Sequence, residues 1–571
     1  MKKLLLVFIS LTLITVTSCD DAFTDIDPIG SLSDAALANA TGIDLLLTGA
    51  YSVLDGVRNG GNGNGWGRSA DNWVMDVVSD DAHKGSTDGD QADLFELEMY
   101  NWATANGYFL ARWEVLYAGV NRANAVIALI NSSDAPDEFS VEMAQARFLR
   151  GHFNFELMKT FGNVPYISDE NYAALEFNLP NSGDTALTWG DIEADFSFAM
   201  ANLPSNRNGS YTAPGRPLSW AAQAFLGKVQ LFQGDWNGAL SNLRAVINSG
   251  TYGLHPQLVD NFRSATENGA EAIFAIQYSS DNAQSMQGNQ TGALNYPGGG
   301  PFGSCCGFYQ PTQDLADAYI TVGGLPMAVA DPSSSARVTS DYGVASSDAF
   351  TPYAGELDPR IDFTVGRRGI DYNGYGVHVG KDWIRASFDD ISGPYLPKKN
   401  IYTAGDVANI GTGGWGQQLS GINYHIMRYA DVLLMAAEAA VESGDLEAGR
   451  AYVNQVRNRA KNMTYVKDGS GSDAANYMIE EYTAAWTDQG VARTAVRTER
   501  RLELGMEGHR SFDLRRWGNA VSVMNAYITK ESQVITTFGK GQSYDSKHDV
   551  FPIPLSAIDG SGGVIVQNPG F

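Results

Sequence analysis

The sequence predicts a mainly α fold: a tetratricopeptide-like scaffold of helical hairpins carrying a large elaboration of irregular loops and short strands. Three observations predict it. Several long stretches repeat apolar residues at three- and four-residue steps, the period of an amphipathic helix. Two pairs of such stretches are divided by a bare Gly-Asp, at Gly234-Asp235 and at Gly444-Asp445. Residues 278–427 lack the helical period and are rich in Gly, Ser, Asn and Pro.

Taken in order, the chain opens with Lys2 and Lys3, an apolar run over 4–16, and the small residues Thr17 and Ser18 before Cys19. A basic start, an apolar run too short to span a bilayer and a small-residue cleavage site make a secretory signal peptide. Val16-Thr17-Ser18-Cys19 resembles a bacterial lipobox, so Cys19 is expected to be acylated and to anchor the mature chain by lipid rather than by a spanning helix. The expected organisation is a signal peptide at 1–18, an acidic tether at 19–30 and a single domain at 31–571. Within that domain a helical scaffold occupies about 31–277, a loop-rich ligand-binding region 278–427, and helices with a closing segment 428–571.

Helices are predicted at 142–159, at 189–202 behind a Thr188 cap, at 219–233 and at 237–248. A further pair is predicted at 430–443 and 447–460. A helix, a Gly-Asp break and a second helix form a hairpin that cannot bury its apolar face alone, so several must stack. Short strands are expected at 272–277 and 361–365. The loop-rich middle is too long to be one structureless connection and is read as an elaboration packed on the helices. Trp113, Trp220, Trp236 and Trp517 stand in helical contexts and read as core.

The chain has 571 residues, 44% apolar and 18% charged, with a formal net charge of −26. A chain this acidic argues against a nucleic-acid partner, because phosphate binding needs a basic surface. Cys305 and Cys306 are adjacent and offer no zinc or iron–sulfur spacing; a vicinal disulfide stiffening a loop and two inert thiols both remain open. Enzyme signatures are missing. There is no GxSxG with triad partners, no HExxH and no Walker sequence, and GGNGNGWG at 60–67 lacks the following Lys-Ser/Thr. No cofactor is predicted. Ser79-Asp80-Asp81 and Asp88-Gly89-Asp90 are fragments of a structural calcium site without the rest of the loop.

The C-terminal part holds the densest motifs. Glu499, Glu503 and Glu507 are four apart, and Arg500, Arg501, Arg510, Arg515 and Arg516 stand close to them. Opposite charges so clustered lock neighbouring helices together. His509 reads as a hydrogen-bonded packing residue rather than a catalytic one.

A set of motifs in order along the chain resembles the SusD/RagB family. Ala146-Arg147-Phe148-Leu149-Arg150-Gly151 leads to Phe161-Gly162-Asn163-Val164-Pro165. Gly215-Arg216-Pro217 and Trp220-Ala221-Ala222 precede the first hairpin. Glu271-Ala272-Ile273-Phe274-Ala275-Ile276, Leu357-Asp358-Pro359-Arg360 and the run from Arg428-Tyr429-Ala430-Asp431 to Glu438 follow. Glu499-Arg500-Arg501-Leu502-Glu503-Leu504, Glu507-Gly508-His509-Arg510 and Phe512-Asp513-Leu514-Arg515-Arg516-Trp517-Gly518 are the most diagnostic. Pro552-Ile553-Pro554 and Gln567-Asn568-Pro569-Gly570-Phe571 close the chain.

The resemblance implies a non-enzymatic lipoprotein on the outer face of the outer membrane. It would capture poly- or oligosaccharide and deliver it to a SusC-like TonB-dependent transporter. A peptide-capturing RagB-like lipoprotein is the alternative, and a lipid-anchored glycoside hydrolase, with two carboxyls facing across a cleft, is the third reading. Sugars stack their C–H faces on exposed rings and hydrogen-bond at their edges. Rings in Gly/Asn-rich loops are therefore the expected contacts: Trp66 with Arg68, Asp71, Asn72 and Trp73; Phe302, Phe308 and Tyr309 around Cys305-Cys306; and Trp383 and Trp415. The acidic surface favours a neutral glycan.

Overall fold

A computed structural model describes residues 37–56, 73–279, 295, 297–302, 306–385, 390, 392–399, 401–412, 418–535 and 542–571. The principal helices are α1 (Ala40–Ser52), α2 (Gly107–Asn131), α3 (Ser140–Phe161), α4 (Trp189–Asn202), α5 (Ser219–Gln233) and α6 (Trp236–Asn248). After the loop-rich region come α7 (Tyr429–Glu442), α8 (Leu446–Asn462), α9 (Gln489–Leu504), α10 (Arg510–Arg516) and α11 (Ala520–Glu531).

Local chemistry sets the boundaries. Thr188 Oγ1 accepts from the Asp191 N–H, and the Asp191 carboxylate accepts from the Thr188 N–H, a reciprocal cap that satisfies two otherwise unbonded donors. Gly234 ends α5 in the left-handed region at φ 77°, and Asp235 starts α6 by accepting from the Gly238 N–H. Gly444 at φ 89° and Asp445, which accepts from the Ala448 N–H, repeat the device between α7 and α8. Glycine takes this conformation without a Cβ penalty, and aspartate satisfies a free N–H of the next helix. Inside both hairpins a glycine sets the approach. A Cβ on Gly227 would stand 2.8 Å from Leu243, and one on Gly449 2.6 Å from Val441.

The helices stack in chain order, each of α1 to α6 packing on the next. The stack then continues from α6 directly onto α7, and α7 packs on α8 and α9. The scaffold therefore runs through both ends of the sequence, and residues 249–428 are an excursion from it. Phe148 of α3 shows the packing: its ring lies 5.5, 5.2 and 4.9 Å from Phe196 of α4, Phe225 of α5 and Phe274, all edge-on. Such pairs add about 0.5–1.5 kcal/mol each beyond their buried area. The core is continuous from Ile43 to Ile565, with a small satellite of Leu258, Phe262 and Met463 on which Phe363 and Tyr465 rest. Trp113 is buried in the core, and Trp220, Trp236 and Trp517 pack against it.

Strands are few and short. They include β1 (Ala82–Gly85), β2 (Ala272–Ile276), β3 (Phe308–Pro311) and β4 (Tyr424–Arg428). β2 on the way out of the stack pairs antiparallel with β4 on the way back, Tyr424 opposite Ile276. β1 pairs antiparallel with β3, His83 opposite Gln310. The strand expected over 361–365 is corrected: Ile361–Thr364 is a helical turn, and only Val365–Gly366 is extended. The Ile361 N–H bonds back to the Asp358 carbonyl, which coils the chain at that point. No helix among the described residues is long and apolar enough to cross a membrane.

Candidate functional site

The clustered charges of the C-terminal motifs form a buried lattice. Arg428, 1% exposed, donates to Glu271 and Glu503 at 2.7 Å each and to Glu507 at 2.8 Å. Arg360 bridges Asp358 at 2.7 Å, Glu499 at 2.7 Å and Glu503 at 3.0 Å, and Arg459 also reaches Glu503. Lys399 donates to Glu507 at 2.7 Å. Burial pushes the Glu507 carboxyl up, but Arg428 and Lys399 overcome it and hold the group down at about 2. Arg500 joins Asp431 to Asp513, and Arg516 binds Glu438. These carboxylates are spent on guanidinium groups.

The two acidic fragments are spent in the same way. Arg510 and Arg501 bind Asp80 and Asp81 at 2.7 Å each, and Arg385 binds Asp90 at 2.6 Å. Among the described residues no group of three His, Cys, Asp or Glu side chains is placed to hold a metal ion. His509 lies near Asp431, Lys228 and Arg500, and burial lowers it to about 4, against the pull of Asp431. His83 is the histidine placed most like an acid–base group. Its Nδ1 is 2.7 Å from Glu98 and its Nε2 3.0 Å from Glu531, all within the core. Burial pushes its pKa down, but hydrogen bonds to Glu531 and Glu98 raise it to about 9. An imidazolium with both N–H groups engaged has no lone pair to act as a base; it ties β1 to α11.

The expected ligand residues divide into two sets. Trp66, Arg68, Asp71, Asn72, Trp415, Cys19 and Cys305 lie outside the described residues, as does the side chain of Trp73, whose backbone opens the helix Trp73–Val77. Phe302, Phe308, Tyr309 and Trp383 are described, and their expected display on the surface is corrected: they are 6%, 1%, 2% and 8% exposed. Phe302 and Trp383 belong to an aromatic cluster with Tyr372, Tyr375, His378 and Tyr402. Phe308 lies under the Lys84 ammonium, and the Tyr309 hydroxyl donates to Asp76 Oδ2 at 2.5 Å. The glycines around these rings mark close approach, not display. A Cβ on Gly300, at φ 60°, would stand 2.2 Å from Trp383 Nε1. Cys306 is buried and disulfide-bonded.

What reaches the surface is a ring that sequence reading missed. A tight turn closes between Asp371 and Val377, with Asn373, Gly374 and Gly376 at φ 51°, 81° and 108°. It presents Tyr375, half-buried, with its ring centroid 4.5 Å from that of Phe302 and the two rings tilted. Val377 and Val379 beside it are 55% and 41% exposed. On the other side of the turn is a groove of about 250 Å³, lined among others by Phe262, Arg263, Phe363, Asn373, Lys398 and Thr403. Its apolar wall is the satellite core; its polar wall is the turn and the strand-like segment after Lys398. Only the Asn-Gly-Tyr-Gly at 373–376 marks this turn locally. A wider groove of about 640 Å³ lies along α2 to α4, where Arg147 and Arg150 are paired with Asp195.

Comparison with known proteins places the chain. A family model described as "SusD family" matches residues 270–571, and one described as "Starch-binding associating with outer membrane" matches residues 46–231. SusD-like protein P2 of Formosa agariphila is 26% identical over the whole of both chains. Among solved structures, a SusD-like protein from Bacteroides fragilis superposes with a TM-score of 0.68 at 20% identity, over 95% of this chain and 99% of its own. Surface glycan-binding protein A from Bacteroides thetaiotaomicron, in complex with laminarihexaose, superposes with a TM-score of 0.62 at 21% identity, over 93% and 99%.

Proposed function

This chain belongs to the SusD family, and we propose that it is a cell-surface glycan-binding lipoprotein. In this reading Cys19 carries the lipid, and the protein captures oligosaccharide without cleaving it. The sugar then passes to a SusC-like TonB-dependent transporter in the outer membrane. One observation supports the capture reading most directly. A half-buried tyrosine and a groove with both aromatic and amide walls stand together on a fold shared with a protein solved on laminarihexaose. Tyr375 offers a ring to a sugar face, and Asn373 offers an amide to a hydroxyl edge. On sequence grounds the proposal also assigns Trp66, Arg68, Asp71, Asn72 and Trp415 to the ligand surface. The non-enzymatic reading is supported by the carboxylates of the buried lattice, which are held by arginines. The test is electrophoresis of residues 20–571 through gels containing a panel of polysaccharides, with Tyr375→Ala alongside and reducing sugar assayed. Retardation by a glycan, weakened in the variant and without sugar release, is the expected result. Release of reducing sugar overturns the binding-protein reading, and no retardation on any gel overturns glycan capture.

A further inference from the structure

Lys398 lines the groove and is 6% exposed. Its ammonium makes one hydrogen bond among the described residues, to the Asp371 carbonyl at 2.9 Å. Among the described residues no carboxylate lies within ion-pair distance of it. An ammonium has three donors, and burying a charge with donors unsatisfied is costly. Burial pushes it down to about 8, against the pull of Asp362 and Asp371, so it remains charged at neutral pH.

Arg263 lines the same groove. Its nearest carboxylate oxygen, Asp406 Oδ2, is 3.6 Å away, beyond hydrogen-bond length. Asp406 is already engaged, accepting from Thr403 N–H, Thr403 Oγ1 and Ser264 Oγ. Asp371 also lines the groove, its carboxylate accepting from the Gly374 N–H. Among the described residues two cations with unspent donors therefore border a cavity of sugar-ring size, beside the carboxylates of Asp371 and Asp406.

We propose that this groove takes an anionic sugar residue, its acid group held by Lys398 and Arg263 and its ring seated against Phe262 and Phe363. The inference deepens the glycan-capture reading and rests on it; it reverses the preference for neutral glycans that net charge alone suggests. The acid is a uronic carboxylate or a sulfate ester, both of which accept charge-assisted hydrogen bonds from ammonium and guanidinium groups.

The test is titration calorimetry of residues 20–571 with three probes: oligogalacturonate against its methyl ester, a sulfated galactan oligosaccharide against its desulfated form, and laminarihexaose. One acidic probe is expected to bind at least tenfold tighter than its neutralised partner, and which one does so identifies the acid. That preference is expected to fall to within about twofold in Arg263→Gln and in Lys398→Met. If Lys398→Met fails to fold, Arg263→Gln decides the matter, because its side chain is partly exposed. Binding of laminarihexaose or of neutralised probes as tightly as acidic ones overturns the acid site and leaves glycan capture standing. An acid preference that both folded variants retain also overturns it. Binding of no probe at all overturns the acid site, while glycan capture stands or falls on the gel panel.

Discussion

Arg428 Nη1 lies 2.7 Å from Glu503 Oε1, with both side chains fully buried. The contact joins the residue that opens α7 to the last turn of α9. Through Arg428 it also reaches Glu271, at the mouth of the excursion, so one guanidinium closes the scaffold over 156 intervening residues.

Arg428→Met is therefore expected to destabilise the protein severely. It would leave Glu271, Glu503 and Glu507 short of their shared cation, and breaking a buried pair from one side costs about 3–5 kcal/mol. Equilibrium denaturation in urea checks this; a midpoint unchanged from wild type would mean that the lattice contributes little.

His83 makes stability depend on pH. Its folded pKa is raised from 6.5 to about 9, so its contribution is fully present below about 6.5 and is lost as pH rises through 9. The stability difference between wild type and His83→Gln should be largest near pH 6, on the order of 3 kcal/mol, and should shrink by pH 10. A difference that grows with pH would contradict the imidazolium held between Glu98 and Glu531.

Gly300→Ala tests the close approach of the glycine run to Trp383. The residue is at φ 60°, and an added Cβ meets the indole at 2.2 Å. Strain of this kind costs about 1–3 kcal/mol, and near-ultraviolet circular dichroism should report a disturbed tryptophan. An unchanged spectrum and melting temperature would show that the loop relaxes freely.

Tyr375→Ala should weaken glycan binding by roughly tenfold, about 1.4 kcal/mol, while Tyr375→Phe keeps most of the affinity. Calorimetry with a glycan retained in the gel panel checks both. Equal losses in the two variants would move the role from the ring face to the hydroxyl.

The hairpin scaffold was legible in the sequence because its determinants are local. Thr188 and Asp191 cap each other three residues apart, and Gly234-Asp235 and Gly444-Asp445 end one helix and start the next within five residues. The charge types of the C-terminal lattice were legible too, since Glu499, Glu503 and Glu507 are spaced four apart, although α9 ends at Leu504 and Glu507 lies in the turn beyond it. Their partners were not: Arg360 and Arg428 come from elements far away in sequence, and clustering does not say which cation meets which carboxylate. The ring contacts failed for a related reason. Around Phe302 and Trp383 the glycines let two segments of the chain touch and close a core, whereas composition alone reads such a run as an open loop.

By itself the sequence determined a stack of helical hairpins, its family, and the residue types that lock it together. Only the tertiary structure decided that Tyr375 rather than Trp383 faces outward, and that Arg263 and Lys398, 135 positions apart, share one groove. Backbone caps act over a few residues and leave a periodic trace, whereas burial and unspent donors depend on which distant segments fold against one another.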